Sequence, residues 1–355
     1  MPQFINRHQQ RGVIAANQTP NTPWSVVVNR LKNSLTGTTC HIDTTCIGNR
    51  DMFTAELDLC DPGVDTVIIT DEKWKYPDGI TGVNYYEETL LAHPSMQNKD
   101  VIIVTHRYTN RQIGPRCWLV SYPAFFLIGR FYSPGSLVFK PQDLLHGFSS
   151  LNYRAAVHRI LLGYRLYEQG LLDDVIFSLS DHSRFDATIL KTLSRFDEFR
   201  QLLPIQCYDS VTNDHTVNHP AYSHAYCNIV TETETDMVID IEPGTNLVEH
   251  EIITEKSYKP FLSGQVPLFL ASRGHLAYLT SLGFEVMGNL VPPGYDQMPT
   301  VDKVAAIVDV VAQGREYIRD FYFNHLREIE HNYRLATSGA VEQRLLRDIQ
   351  QLISR

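Results

Sequence analysis

The sequence predicts an α/β protein made of two doubly wound, Rossmann-like domains followed by C-terminal helices. Three observations lead there. A chain of 355 residues is longer than one hydrophobic core usually sustains, so two domains are expected. Short runs rich in valine and isoleucine end in polar or charged groups, as strands buried on both faces of a parallel sheet do. In the second half such runs alternate with stretches at helical spacing, which is the order of βαβ units.

Residues 1–147 form the expected N-terminal domain. Strands are predicted at 67–70 before Asp71-Glu72, at 101–105 before His106-Arg107, and at 118–121, with weak helical patterns such as 85–92 between them. The second domain is expected over 148–315. It opens with Phe148 to Arg154, and Val157, Ile160, Leu161 and Tyr164 then place a helix at about 155–169, which Gly170 ends. A strand at 175–179, a helix near 186–199, a polar loop at 209–223 and a strand at 226–230 follow. Next comes Ile252-Ile253-Thr254-Glu255-Lys256-Ser257-Tyr258-Lys259-Pro260, with the end of a helix, a stop at Gly264 and a buried strand in 261–270. A small β-element is expected at 284–291. Beyond Pro299 the chain reads as helical, and helices in 316–355 are expected to pack across or back onto the N-terminal domain.

With 43% hydrophobic and 20% charged residues both domains can pack well. A formal charge of −9 opposes a protein built around the phosphate backbone of nucleic acid. No run of about 18 apolar residues occurs, so no membrane insertion is expected, and the first residues lack the apolar core of a signal peptide. The six cysteines show no CxxC pairing, which fits a reducing, cytoplasmic setting. His215, His219, His224 and Cys227 have spacings that zinc accepts, weakened by Pro220 and the polar loop around them. Asp58-Leu59-Cys60-Asp61 and Asp240-Ile241-Glu242 imitate a metal-binding Asp-x-Asp poorly, so neither a metal nor a cofactor is expected.

The most informative stretch is Thr254 to Pro260, because it puts a carboxylate and two ammonium groups into a turn between an apolar strand and a helix. Such a turn offers backbone N–H groups and the positive end of a helix dipole to an anion. Lys256 and Lys259 add charge for a diphosphate, and Glu255 can accept hydrogen bonds from sugar hydroxyls. A plain surface pair between Glu255 and Lys259 is the competing reading.

Five ordered blocks carry a resemblance: Leu151-Asn152-Tyr153-Arg154-Ala155-Ala156-Val157-His158-Arg159; Gly170 to Asp173 leading to Phe177-Ser178-Leu179; Asn228 to Thr233; the TEK segment with Gln265-Val266-Pro267 and Leu279 to Phe284; and Glu330-His331-Asn332. Over about 148–332 the chain resembles the viral and bacterial TEK-x-x-KP glycosyltransferases of GT-B fold, which are related to nucleotide-sugar fucosyltransferases. Tyr153 replaces a usual arginine, and Pro292-Pro293-Gly294-Tyr295-Asp296 replaces a more acidic segment. Residues 1–147 give no block that aligns.

The resemblance implies two GT-B-like domains facing across a cleft, and inverting, metal-independent transfer of a sugar from a nucleoside diphosphate to an acceptor hydroxyl. By position it assigns donor binding to Arg159, Glu255 and Lys256, with Asn152 at the preceding strand end. Arg154 is a second phosphate contact or a turn cap, and His158 a further site residue or a packed core histidine. Glu232 and Thr233 end a strand close to where the TEK turn should lie, a place where a threonine or asparagine can read the base, against the alternative that Glu232 is an ordinary loop carboxylate. Tyr295 and Asp296 are placed to reach sugar hydroxyls, against the alternative of a plain turn after Pro-Pro-Gly. The acceptor is a glycan, a protein or a small molecule, and a general base must take its proton. Candidates are Asp71, Glu72 and His106, with Asp43 and Glu87 behind them. A transferase acting on modified DNA bases is the alternative, supported by Arg107, Arg111, Arg116 and Arg130. An inactive transferase-like binding module is the second.

Overall fold

A computed structural model describes residues 4–6, 35, 37–43, 50–71, 89–105, 111–121, 139, 141–152, 156–179, 192–205, 220–233, 235 and 253–353. The chain forms two units, residues 1–124 with 244–250 and 342–355, and residues 125–243 with 251–341. Both are α/β with parallel sheets.

The first unit holds a six-stranded sheet of β1 (Phe4–Asn6), β2 (Thr39–Asp43), β3 (Thr66–Asp71), β4 (Asp100–Thr105), β5 (Arg111–Gly114) and β6 (Cys117–Ser121) in the order β1-β2-β3-β4-β6-β5. Only β5 runs antiparallel to its neighbour, with an irregularity between Gln112 and Gly114. Alternate residues Val67, Ile69, Val101, Ile103 and Leu119 share a core with Phe53 and Leu57 of α1 (Arg50–Asp58). Buried Lys99 caps the 61–64 turn, donating to the carbonyls of Asp61 at 2.9 Å, Pro62 at 3.1 Å and Val64 at 2.7 Å. The three expected strands are present. β1 and β5 leave little trace in the sequence, because one has three residues and the other, Arg-Gln-Ile-Gly, is a polar edge.

The second unit holds β7 (His146–Asn152), β8 (Val175–Leu179), β9 (Ala225–Thr231) and β10 (Val266–Leu270), all parallel, in the order β10-β9-β7-β8. The chain steps from β7 outward to β8 and returns to β9 on the other side of β7. The order therefore reverses between β7 and β9, and their carboxyl ends flank a topological switch point, where open α/β sheets bind ligands.

Helix α2 (Val157–Glu168) follows β7, and short helices α3 (Phe196–Arg200) and α4 (Ala221–His224) precede β9. Helix α5 (Glu255–Ser263) joins β9 to β10, and α6 (His275–Ser281), α7 (Thr300–Ala312), α8 (Gly314–Asn324) and α9 (Leu326–Ser338) follow. Most of α10 (Ala340–Ile353) belongs to the first unit. One face of the second sheet, through Val175, Phe177 and Leu179, shares its core with Ile160 and Leu161 of α2 and Val304 and Ile307 of α7. Ile176 points the other way, toward Ala221 of α4.

Gly163 lets α2 lie close on this core. A Cβ there would stand 2.9 Å from Phe177 Cζ and 3.1 Å from Phe199 Cζ. Gly163→Ala should overpack the interface and cost about 1–3 kcal/mol in urea unfolding. An unchanged midpoint would mean that α2 does not seat on β8 this way.

Two expectations are corrected. Residues 284–291 form no strand. Asn332 of α9 receives Glu285 N–H and donates to Glu285 C=O, each at 2.8 Å, so one side chain satisfies this backbone where a ladder partner would otherwise be needed. The helix expected near 186–199 begins only at Phe196, after a turn at 192–195, with 186–191 outside the described residues. Within the expected loop at 209–223, α4 begins at Ala221, and 209–219 lie outside the described residues.

Candidate active site at the switch point

β7 and β9 deliver their last residues side by side. The hydroxyl of Thr231 at the end of β9 donates to the side-chain oxygen of Asn152 at the end of β7. Both are buried, and the Asn152 amide is also held by Ser150 Oγ at 3.1 Å. Asn152 thus ties the two strand ends together.

Helix α2 starts directly beyond. Its N-cap is Ala156, which offers no side-chain cap, and its first turn holds no acidic residue. No carboxylate within its own first turn therefore offsets the dipole of this helix. His158 and Arg159 in that turn reach across to β9. Arg159 Nη2 donates to the carbonyls of Thr231 at 3.1 Å and Glu232 at 3.0 Å, and His158 Nε2 lies 2.9 Å from the Glu232 carbonyl. A carbonyl can only accept, so His158 carries its proton on Nε2. Burial, with the Arg159 charge second, pushes its pKa from 6.5 to about 3. The ring is neutral, and among the described residues its buried Nδ1 has no hydrogen-bond partner.

Glu232 is the hub on the other side. Its buried carboxylate accepts from Thr254 N at 3.1 Å, Thr254 Oγ1 at 2.7 Å, Thr233 N at 3.1 Å and Ser257 Oγ at 2.5 Å. Thr254 is the N-cap of α5 and accepts from Lys256 N at 3.4 Å. A protein carboxylate thus occupies the positive end of α5, the place where the sequence suggested a diphosphate. Glu232 thus anchors α5 to β9.

Lys256 lies at the open edge of this cluster. Its ammonium pairs with Glu255 Oε1 at 2.9 Å and approaches Thr233 Oγ1 at 3.4 Å, and its side chain keeps 29% of its exposure. Arg159 thus meets the chain at Thr231 and Glu232, and Lys256 meets it at the next residue, Thr233. Lys259 is the other lysine of the segment. It is buried one turn along α5, with Nζ 5.7 Å from the centre of the Tyr222 ring of α4. At a spacing of three residues, the two lysines stand about one turn apart along the same helix.

Tyr295 and Asp296 serve the fold. The buried Tyr295 hydroxyl donates to Phe269 O at 2.6 Å, and Asp296 caps α6 by accepting from Leu276 N at 2.9 Å and Ala277 N at 3.1 Å. Their expected reach to sugar hydroxyls gives way to these contacts. Arg154, Glu72 and His106 lie outside the described residues, as do Glu87, Arg107, Arg130, His215 and His219. Asp43 and Asp71 end β2 and β3, but their side chains are outside the described set, as is that of Arg111 in β5. Exposed Arg116 pairs with Asp100 at 2.8 Å. Cys227 is a core residue of β9 whose thiol is pushed up by burial.

Sequence reasoning missed Ser257, Thr231 and His275. Thr231 stands in the third block of the resemblance, and Ser257 is Lys256's neighbour. His275, the first residue of α6, comes to the site only through the fold, with Nε2 2.9 Å from Ser257 Oγ.

No family model matches the chain, and no curated protein matches it. Among solved structures it is similar to a UDP-forming α,α-trehalose-phosphate synthase from Burkholderia xenovorans, at 12% identity, over 97% of this chain and 80% of that one, with a TM-score of 0.36. A likeness this slight carries no argument about the site, so the resemblance to TEK-x-x-KP transferases rests on the sequence blocks. Among the described residues no helix is long and apolar enough to cross a membrane.

Proposed function

We propose that the chain is a glycosyltransferase that binds a nucleoside-diphosphate sugar at the carboxyl ends of β7 and β9. The observation that carries this reading is the convergence of two cations on the end of β9, Arg159 from α2 and Lys256 from α5, beside a helix N-terminus whose N-cap residue offers no side-chain cap. The reaction breaks the bond between the anomeric carbon and the phosphate oxygen, and the electron pair leaves with the diphosphate. Fixed cations near that oxygen stabilise the growing charge with little reorganisation. The acceptor hydroxyl forms the new bond in a single inverting displacement and gives its proton to a base, for which Asp71, Glu72 and His106 remain the candidates.

The two cations divide the work. Arg159 is held by main-chain carbonyls and contributes a fixed positive field. Lys256 exchanges Glu255 for a phosphate oxygen when the donor arrives, leaving the Glu255 carboxylate to accept from sugar or ribose hydroxyls. With side-chain cations in this role, the transfer needs neither a metal nor a cofactor.

A thermal-shift series with UDP, GDP and CDP tests the reading. One of them should stabilise the wild type by about 2.7 kcal/mol at a hundred times its Kd. Lys256→Ala should lose most of that response while changing stability by no more than about 0.5 kcal/mol, since the side chain is partly exposed. Failure of all three nucleotides to shift the wild type would overturn the proposal.

A further inference from the structure

The contacts around Glu232 have a direction. Backbone N–H groups of Thr254 and Thr233 can only donate, and both end on this carboxylate. The Thr254 hydroxyl also accepts from Lys256 N, and the Ser257 hydroxyl lies between Glu232 and His275. Each hydroxyl has one proton, and at 2.7 and 2.5 Å each is best placed to give it to Glu232. Ser257 Oγ then meets His275 as an acceptor, so His275 Nε2 carries the donated proton.

His275 is 1% exposed, with its ring centre 5.0 Å from that of Phe269. A chain of donors therefore runs one way, from α6 through the first turn of α5 to the end of β9. Its terminus, Glu232, is the residue whose backbone carbonyl receives Arg159.

We infer that His275 is a positioning residue for the donor site, holding the Thr254-Glu255-Lys256 turn in place through Ser257 and Glu232 without itself touching the substrate. The inference rests on the proposed donor-binding reading and adds a residue that no motif indicates. Removing the Nε2 donor leaves Ser257 with an unmet acceptor inside the protein and loosens its aim at Glu232. The first turn of α5 then gains freedom that binding must remove again. Glutamine can place an amide N–H near the position of Nε2 and should restore the chain, whereas phenylalanine fills the space and cannot.

Amide hydrogen exchange of the first turn of α5 decides this without any ligand. In His275→Phe, exchange at Lys256 and Ser257 should rise on the order of tenfold, the loss expected for one buried hydrogen bond, and His275→Gln should return it toward wild type. The affinity for whichever of UDP, GDP or CDP stabilises the wild type should follow the same order. Unchanged exchange in His275→Phe, or a glutamine variant no better than phenylalanine, would overturn the inference. Should His275→Phe fail to fold, Ser257→Ala tests the same bond from its other end: faster exchange at Lys256 supports the inference, and unchanged exchange overturns it. A wild type that binds none of the nucleotides would end the donor-site reading, while the exchange data would still decide the positioning of the turn.

Discussion

Glu232→Ala should lower the unfolding free energy by about 3–5 kcal/mol, the range seen when one partner of a buried charged network is removed. It should also abolish nucleotide binding. Four donors lose their acceptor at once, and the N-terminus of α5 loses the carboxylate that complements its dipole. Glu232→Gln separates the two effects, because the amide keeps the volume and one acceptor oxygen but turns its NH2 toward groups that donate. It should remain folded and still cost about 1–3 kcal/mol. The comparison is made by urea unfolding with and without the stabilising nucleotide. An alanine variant as stable as the wild type would show that the hub is not formed as described.

Acid should destabilise the protein steeply below neutrality. Burial is the main cause that holds both His158 and His275 to about 3 from an ordinary 6.5, with the Arg159 charge assisting at His158 and Asp296 pulling the other way at His275. Between those values the unfolded chain takes up protons that the folded chain refuses. Stability therefore falls as pH drops through this window and is complete above about 6.5. Each histidine adds a slope of about 1.4 kcal/mol per pH unit there, so the pair adds nearly 3. Unfolding midpoints measured from pH 7.5 to 4.5 check this, and His275→Gln should remove roughly half of the slope. A flat profile would mean that neither ring is held neutral in the folded state, and a wild-type slope already halved would mean that one is not.

The parts of the fold legible in the sequence are those whose signal is local. The strands 66–71, 175–179 and 225–231 are short apolar runs, and α2 shows its apolar period at Val157, Ile160, Leu161 and Tyr164. Gly264 adopts a φ of 67°, the left-handed geometry that ends helices and favours glycine, so the stop after α5 was readable too. The backbone at 284–291 was not, because the partner that replaces a strand is Asn332, 47 residues away from Glu285.

The site divides along the same line. Asn152, His158, Arg159, Glu232, Thr254, Glu255 and Lys256 stand in blocks with recognisable neighbours, and the fold brings them to one place. What each does there was hidden, since a carboxylate at a strand end looks alike whether it receives a ligand or a helix. That Lys259 would be buried beside Tyr222 was not readable either, because Tyr222 lies 37 residues earlier in the chain. Tyr295 and Asp296 misled because a turn after Pro-Pro-Gly suits a binding loop and a helix cap equally well.

Asn332 also bears on how the protein can be shortened. Helix α9 packs on α5 and pins Glu285 through this asparagine, so a chain cut before residue 326 would strip the outer support from the helix that carries Lys256. Any fragment prepared for crystallisation or for nucleotide screening needs to extend through Ser338, although the sheet itself is complete at Leu270.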